Sequence, residues 1–434
     1  MNEINRDSFD SIDGQNKIAM EQFIQTVQAG DVETTAQLLQ SHPLLARRID
    51  EPWFSFDSPA IVVAASRGNR EMVDLLLENV ADINAKSSWW AGGFGVLHHN
   101  HHDLAHYLIE RGARVDPHAA AALGMLDTLE KMAEEDPSFA NQRGPDGQVP
   151  LHFATSHEII DFLLAHGADI DRRDVDHGST PAQWSVDNPD KCNYLIKRGA
   201  QTDIFMAIML GDVEQVRRIL ESDPGSVHAQ IGKGDFTSGS SDGGHIYEYI
   251  IGRAFRPLYL AACLKHADIT ELMLNYASVE ERFLLACGGA DRAAVHHIIR
   301  THPNMVQSLQ PEDQGLIADA AWDNRVEAVR LMLEVGFDVN ASSQSFTALH
   351  RAAIRGNVEL VQLLLEQGAS VHLLNEYGGS PLGSCIWGSL HCEDPRGNYP
   401  AVAESLIRAG SDLPEHAAGK DEVKNVLIGH GVAR

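Results

Sequence analysis

The sequence predicts an all-α solenoid of about thirteen helix–turn–helix units, several of them degenerate, with irregular loop insertions. Three observations carry that prediction. The first is internal similarity. Residues 346–375 read FTALHRAAIRGNVELVQLLLEQGASVHLLN, residues 58–85 read SPAIVVAASRGNREMVDLLLENVADINA, and residues 149–173 read VPLHFATSHEIIDFLLAHGADIDRR. The second is length: 434 residues accommodate about thirteen copies of a period near 33. The third is composition. Hydrophobic residues make up 44% and charged residues 22%, the balance of an ordered soluble chain.

Each element of the unit has a local cause. Ser or Thr before Pro caps the first helix, and Pro fits its first turn. Paired alanines let the next unit approach closely. The leucine run gives the second helix a buried stripe. Gly after that helix supplies a left-handed cap. Units are placed near 17–50, 51–85, 86–116, 117–143, 144–173, 174–203, 204–231, 254–277, 278–310, 311–342, 343–375, 376–413 and 414–434. This gives a loose leader over 1–16, N-terminal units over 17–231, a Gly/Ser-rich insertion over 232–253, and C-terminal units with a polar cap over 254–434.

These segments resemble the ankyrin repeat: a TPLHxAA helix start, a Gly-Asn or Gly-Asp turn, an EVVxLLL second helix and a GADVN-like end. The motifs WWAGGFGVL, DVDHGSTPAQW and GGSPLG with WGSLH are similar to those of long stand-alone bacterial ankyrin proteins. The resemblance implies a binding protein that holds a protein or peptide in a concave groove and uses no cofactor.

In that family the two residues after the paired alanines look into the groove. Here they include Trp322 and Asp323, Ile354 and Arg355, Trp387 and Gly388, and His98 and His99. Trp322 and Trp387 are candidate anchors, because tryptophan buries a large area and keeps one polar N–H. Trp89, Trp90 and Phe94 lie among Gly92, Gly93 and Gly95, which suggests a backbone held close to a ligand or to the groove floor. The candidate partner-binding set is therefore Trp89, Trp90, Phe94, Trp322, Asp323, Arg355 and Trp387.

Three segments break the period: 86–102, 232–253 and 387–400. Folded inward, they would close a small-molecule pocket. The chain would then be a lyase, isomerase or hydrolase working by acid–base chemistry, with His98, Asp176, His177, His245, Tyr247 and His391 as candidates. The histidines from His98 to His106 invite a metal. Counting back from Gly112-Ala113 instead places His101 at the family's own histidine position, so no metal is assigned. No phosphate loop, dinucleotide fingerprint or nucleophile elbow is present.

Net charge is −27, which disfavours nucleic acid and anionic membranes and favours a partner with a basic surface. Five cysteines without a CxxC pair read as reduced thiols. The polar, acidic N-terminus lacks the features of a signal peptide, and the expected compartment is cytoplasmic.

Overall fold

A computed structural model describes residues 14–99, 102–238, 243–253, 255–392 and 394–434. The first thirteen residues of the expected leader, Asn100 and His101, 239–242 of the insertion, Ala254 and Glu393 lie outside that set. The described chain is helical, with one two-stranded antiparallel ribbon pairing Ser342–Ser343 with Phe346–Thr347. None of its helices is long and apolar enough to cross a membrane.

The chain divides into two compact units. The first comprises 1–210 with 231–252, and the second 211–230 with 253–434. The division thus cuts through the expected unit 204–231. The described insertion residues up to Gly252 belong to the first unit.

In the first unit, helices pair in series: Gly14–Ala29 with Val32–Ser41, Ala60–Ser66 with Arg70–Glu78, Pro117–Ala122 with Leu126–Glu135, and Pro150–Phe153 with His157–Ala165. The third repeat keeps only its second helix, His102–Glu110, and the sixth replaces its first helix by the single turn Gln183–Ser185. In the second unit the pairs are Pro257–Cys263 with Ala267–Leu274, Val279–Gly288 with Arg292–Thr301, Leu316–Trp322 with Val326–Val335, Ala348–Ile354 with Val358–Glu366, and Pro381–His391 with Tyr399–Arg408. Asp421–Gly429 closes the stack.

The turn inside each pair explains the Gly-Asn and Gly-Asp signature. Gly30, Gly68, Gly211 and Gly356 take positive φ, and the next residue caps the second helix. Asn69 accepts the Met72 N–H at 2.9 Å, and Asn357 accepts the Leu360 N–H at 3.0 Å. Where glycine is missing, Lys265, Ala290 and Asn324 hold the same left-handed backbone. The paired alanines Ala320-Ala321 and Ala352-Ala353 are fully buried.

The repeat's own histidine ties neighbouring loops together. His350 Nδ1 bonds the Thr347 hydroxyl at 2.8 Å, and its Nε2 reaches the Gly379 carbonyl at 3.1 Å. His152 repeats this, with Nδ1 accepting the Val149 N–H at 3.1 Å and Nε2 at 3.2 Å from the Ser179 carbonyl. In the third repeat His98 does the same work: Nδ1 accepts the Gly95 N–H at 2.8 Å and Nε2 bonds Asp116 at 2.9 Å. This corrects the register expected from counting back, because that count assumes a complete first helix. Burial opposes the charge of Asp116, but hydrogen bonds from His118 and His98 hold its carboxyl well below the usual range. His98 is a structural clamp and not a groove residue.

Candidate functional site

Two places gather the candidate residues, one in each unit. In the second unit, the helices Leu316–Trp322, Ala348–Ile354 and Pro381–His391 stack in series. Trp322, 37% exposed, ends the first of them, and Trp387, 52% exposed, holds the equivalent seventh position of the third, which runs one turn further. The guanidinium groups of Arg351 and Arg355 lie 5.1 and 5.5 Å from the Trp322 ring centre. Arg355 also pairs with Asp394 at 3.0 Å. The Arg396 backbone N–H and guanidinium hold the Asp394 carboxyl below the usual range. Trp387 lies 4.8 Å from the His391 ring, beside exposed Leu390.

Gly388 makes this stacking possible. A Cβ there would stand 2.3 Å from the Ile354 carbonyl oxygen, so only glycine lets the two helices approach. Ile354 is correspondingly buried under that contact, against the expectation that it faces the groove. Asp323 pairs with Arg325 and lies at the edge of the same surface.

In the first unit, a cluster forms where inter-repeat turns meet. Asp146 sits in the turn Pro145–Gly147 with φ 54°. Its N–H donates to the Gly92 carbonyl at 3.2 Å, and its carbonyl accepts the N–H groups of Val175 and Asp176 at 2.9 and 3.1 Å. Gly92, at φ 143°, is required: a Cβ would lie 2.0 Å from the Gly144 carbonyl oxygen. The glycine-rich segment therefore approaches a backbone turn two repeats away. It also carries an aromatic group, with Trp89 5.1 Å from Phe56 and 6.1 Å from exposed Trp90. Phe94 stacks on His99.

The next turn holds Asp174, Asp176 and His177. Asp174 is saturated: it accepts the N–H groups of His177, Gly178 and Ser179 and the Trp184 indole N–H at 2.6 Å. Burial nevertheless raises its carboxyl, with those donors acting the other way. His177 Nδ1 lies 2.8 Å from the Gly244 carbonyl. A carbonyl only accepts, so this bond selects the tautomer with the proton on Nδ1 and the lone pair on Nε2. That Nε2 is 3.8 Å from Asp176 Oδ2. One ligand atom from each of Asp146, Asp176 and His177 lies within 4.8 Å of the other two. Burial, with the charges of Asp176 and Asp174, pushes the Asp146 carboxyl up to about 7, while His177 and the Trp89 indole act the other way.

The remaining acid–base candidates part company. Tyr247 is fully buried against Phe205 and Phe236, and its hydroxyl donates to Asp203 at 2.8 Å. Burial raises it well above the usual phenol range, so it cannot exchange protons at a surface site. His245 is also fully buried, next to the Gly244 carbonyl that orients His177. Burial, with Arg173 and His177 nearby, lowers it to about 4, which keeps it neutral. His391 belongs to the second unit.

Asp146 is the residue that sequence reasoning missed. A signal existed: Asp146 and His177 each stand four residues before the repeat-start prolines, Pro150 and Pro181. They are equivalent positions of successive repeats.

Helix pairs stacked in series make a repeat-built scaffold, here with exposed tryptophans at equivalent positions of two repeats. Models of the ankyrin repeat match residues 117–206, 283–375, 316–393 and 58–88, together more than half of the sequence, and the chain belongs to the ankyrin-repeat family. It is 24% identical over 368 residues to an E3 ubiquitin-protein ligase (KEG) of Arabidopsis thaliana, which covers 77% of this chain and 21% of that protein. It is 40% identical over 65 residues to protein phosphatase 1 regulatory subunit 27 of Homo sapiens, 15% of this chain and 36% of that one. It is 29% identical over 147 residues to the ankyrin repeat and SAM domain-containing protein 6 of Mus musculus, 28% and 17% of the two chains. The matches thus span only 17% to 36% of these relatives.

Proposed function

We propose that the chain is a cytoplasmic scaffold that captures a protein or peptide on the second unit, with Trp322 and Trp387 as anchors. The observation that carries this reading is their exposure at equivalent helix positions of repeats two apart. The two indoles, 37% and 52% exposed, leave apolar area on one repeat surface that a partner could cover. Arg351 and Arg355 brace Trp322, which lowers the entropy lost when a partner covers it. The net charge of −27 favours a partner segment rich in Lys and Arg and disfavours nucleic acid. Family membership supports the same class of function, since ankyrin repeats generally mediate protein–protein contacts.

The test compares the full chain with a Trp322→Ala/Trp387→Ala variant in affinity capture read by quantitative mass spectrometry, with circular dichroism as the folding check. A partner retained by the native chain and lost by the folded variant is the expected result. A partner held equally by both overturns the anchor assignment.

The small-molecule reading keeps one specific observation: residues 88–95 and 243–245, from two irregular segments, both reach the turn pair 146 and 174–178. Tyr247 is engaged by Asp203 and His98 by Gly95 and Asp116, so no acid–base reaction is proposed.

A further inference from the structure

We propose that Asp146, Asp176 and His177 form a binding site for a divalent transition-metal ion. Four observations carry it. First, the donors converge from two turns, with one ligand atom of each within 4.8 Å of the others. Bonds of about 2.0–2.2 Å place the donors of such an ion roughly 3–4 Å apart, so small side-chain rotations close the site. Second, the Asp176 side chain is only 7% exposed, and its Oδ1 is buried without a hydrogen-bond partner among the described residues. Asp146, a partly buried residue, also has its Oδ1 buried without a hydrogen bond of ordinary geometry, with the Trp89 indole as the donor that acts on this carboxyl. A buried carboxylate oxygen with nothing to accept from is costly, and a cation removes that cost.

Third, His177 is oriented as a ligand. Its Nδ1–H is spent on the Gly244 carbonyl, which fixes the tautomer and directs the Nε2 lone pair toward the carboxylates. Fourth, the backbone is held in place: Asp174 collects the His177, Gly178 and Ser179 N–H groups, and the Asp146 carbonyl collects those of Val175 and Asp176. The donors are therefore preorganised by bonds that do not involve their ligating atoms. Gly243 keeps the wall thin, since a Cβ there would stand 2.6 Å from Asp176 Oδ1.

The donor set selects the ion. Two carboxylates and one imidazole neutralise a 2+ charge. The nitrogen favours Mn2+, Fe2+ or Zn2+ over Mg2+ and Ca2+, which prefer oxygen alone. Three protein ligands leave coordination positions open for water or an acidic group. The site lies outside the His98–His106 run that first suggested a metal.

The test uses the full chain stripped with EDTA. Mn2+ binding is followed by the loss of the free-ion electron paramagnetic resonance signal, and Zn2+ and Mg2+ by thermal shift. One Mn2+ per chain, a rise in melting temperature with Zn2+ and none with Mg2+ are expected. Asp176→Asn and His177→Gln should each weaken Mn2+ binding at least tenfold while the circular dichroism spectrum is unchanged. His106→Gln should bind as the native chain does. Absence of Mn2+ binding in the native chain overturns the proposal. So does unchanged binding in either folded ligand variant, which would place the ion elsewhere among the histidines.

Discussion

Asp146→Asn removes a charge and almost no volume, so it isolates the electrostatic cost of the acidic turn cluster. Asparagine tolerates the left-handed backbone that Asp146 holds at φ 54°. In the metal-free chain the Asp146 carboxyl is pushed up to about 7 by burial and by Asp176 and Asp174, from an ordinary 3.8. A carboxyl raised in the folded state contributes stability below the unfolded value, and that contribution is lost as pH climbs through 7. The full window is worth about 4 kcal/mol, at about 1.4 kcal/mol for each tenfold change in the acid constant. Asp146 retains some access to water, and its ionisation in the unfolded chain is already under way at pH 5. About 2 kcal/mol then remains between pH 5 and pH 8. At roughly 2–4 °C per kcal/mol for a body of this size, the variant's advantage in melting temperature should be about 5 °C larger at pH 8 than at pH 5. The assay is a pair of thermal melts in EDTA at each pH, native against variant. An offset that is the same at both pH values refutes the reasoning, because a change in packing alone would not titrate.

Gly388→Ala should destabilise the second unit by about 1–3 kcal/mol, since its Cβ meets the Ile354 carbonyl oxygen at 2.3 Å; urea unfolding measures it. Gly92→Ala meets both a left-handed φ and the Gly144 carbonyl, and should free the 88–95 segment from the Asp146 turn. Faster amide exchange at Asp146 in that variant is the expected readout, and unchanged exchange counts against the contact. Tyr247→Phe leaves Asp203 with one donor fewer and should cost about 1.5–3 kcal/mol by chemical denaturation, the range for a hydrogen bond to a charged group.

The repeat was legible because short-range chemistry enforces it. Gly356 and Asn357 make one turn and one cap wherever they stand, and Ala352-Ala353 is small for the same reason as Ala320-Ala321. Counting from such landmarks singled out Trp322 and Trp387, which are exposed, and also Ile354, which is buried. His98 could not, because the third repeat lacks its first helix and the count slipped. Its role follows only from bonds to Gly95 and to Asp116, eighteen residues on. Asp146 looked like any turn aspartate, since nothing in PDG says that the carbonyl of Gly92, more than fifty residues earlier, accepts the N–H of that turn.

These misses share a cause, and the cause is informative. A regular stack brings only adjacent repeats into contact, so its loops cannot assemble a site from distant parts of the chain. Two of the segments that break the period end at one place: Gly92 against the Asp146 turn, and Gly243 and Gly244 against Asp176 and His177. Each break costs the first unit regular helix packing, most plainly where the third repeat loses its first helix. Both breaks put glycine where a side chain would block the approach. The irregularities are therefore the means by which distant loops meet, and residues that look like errors in the repeat are the first to examine for chemistry that the repeat itself cannot supply.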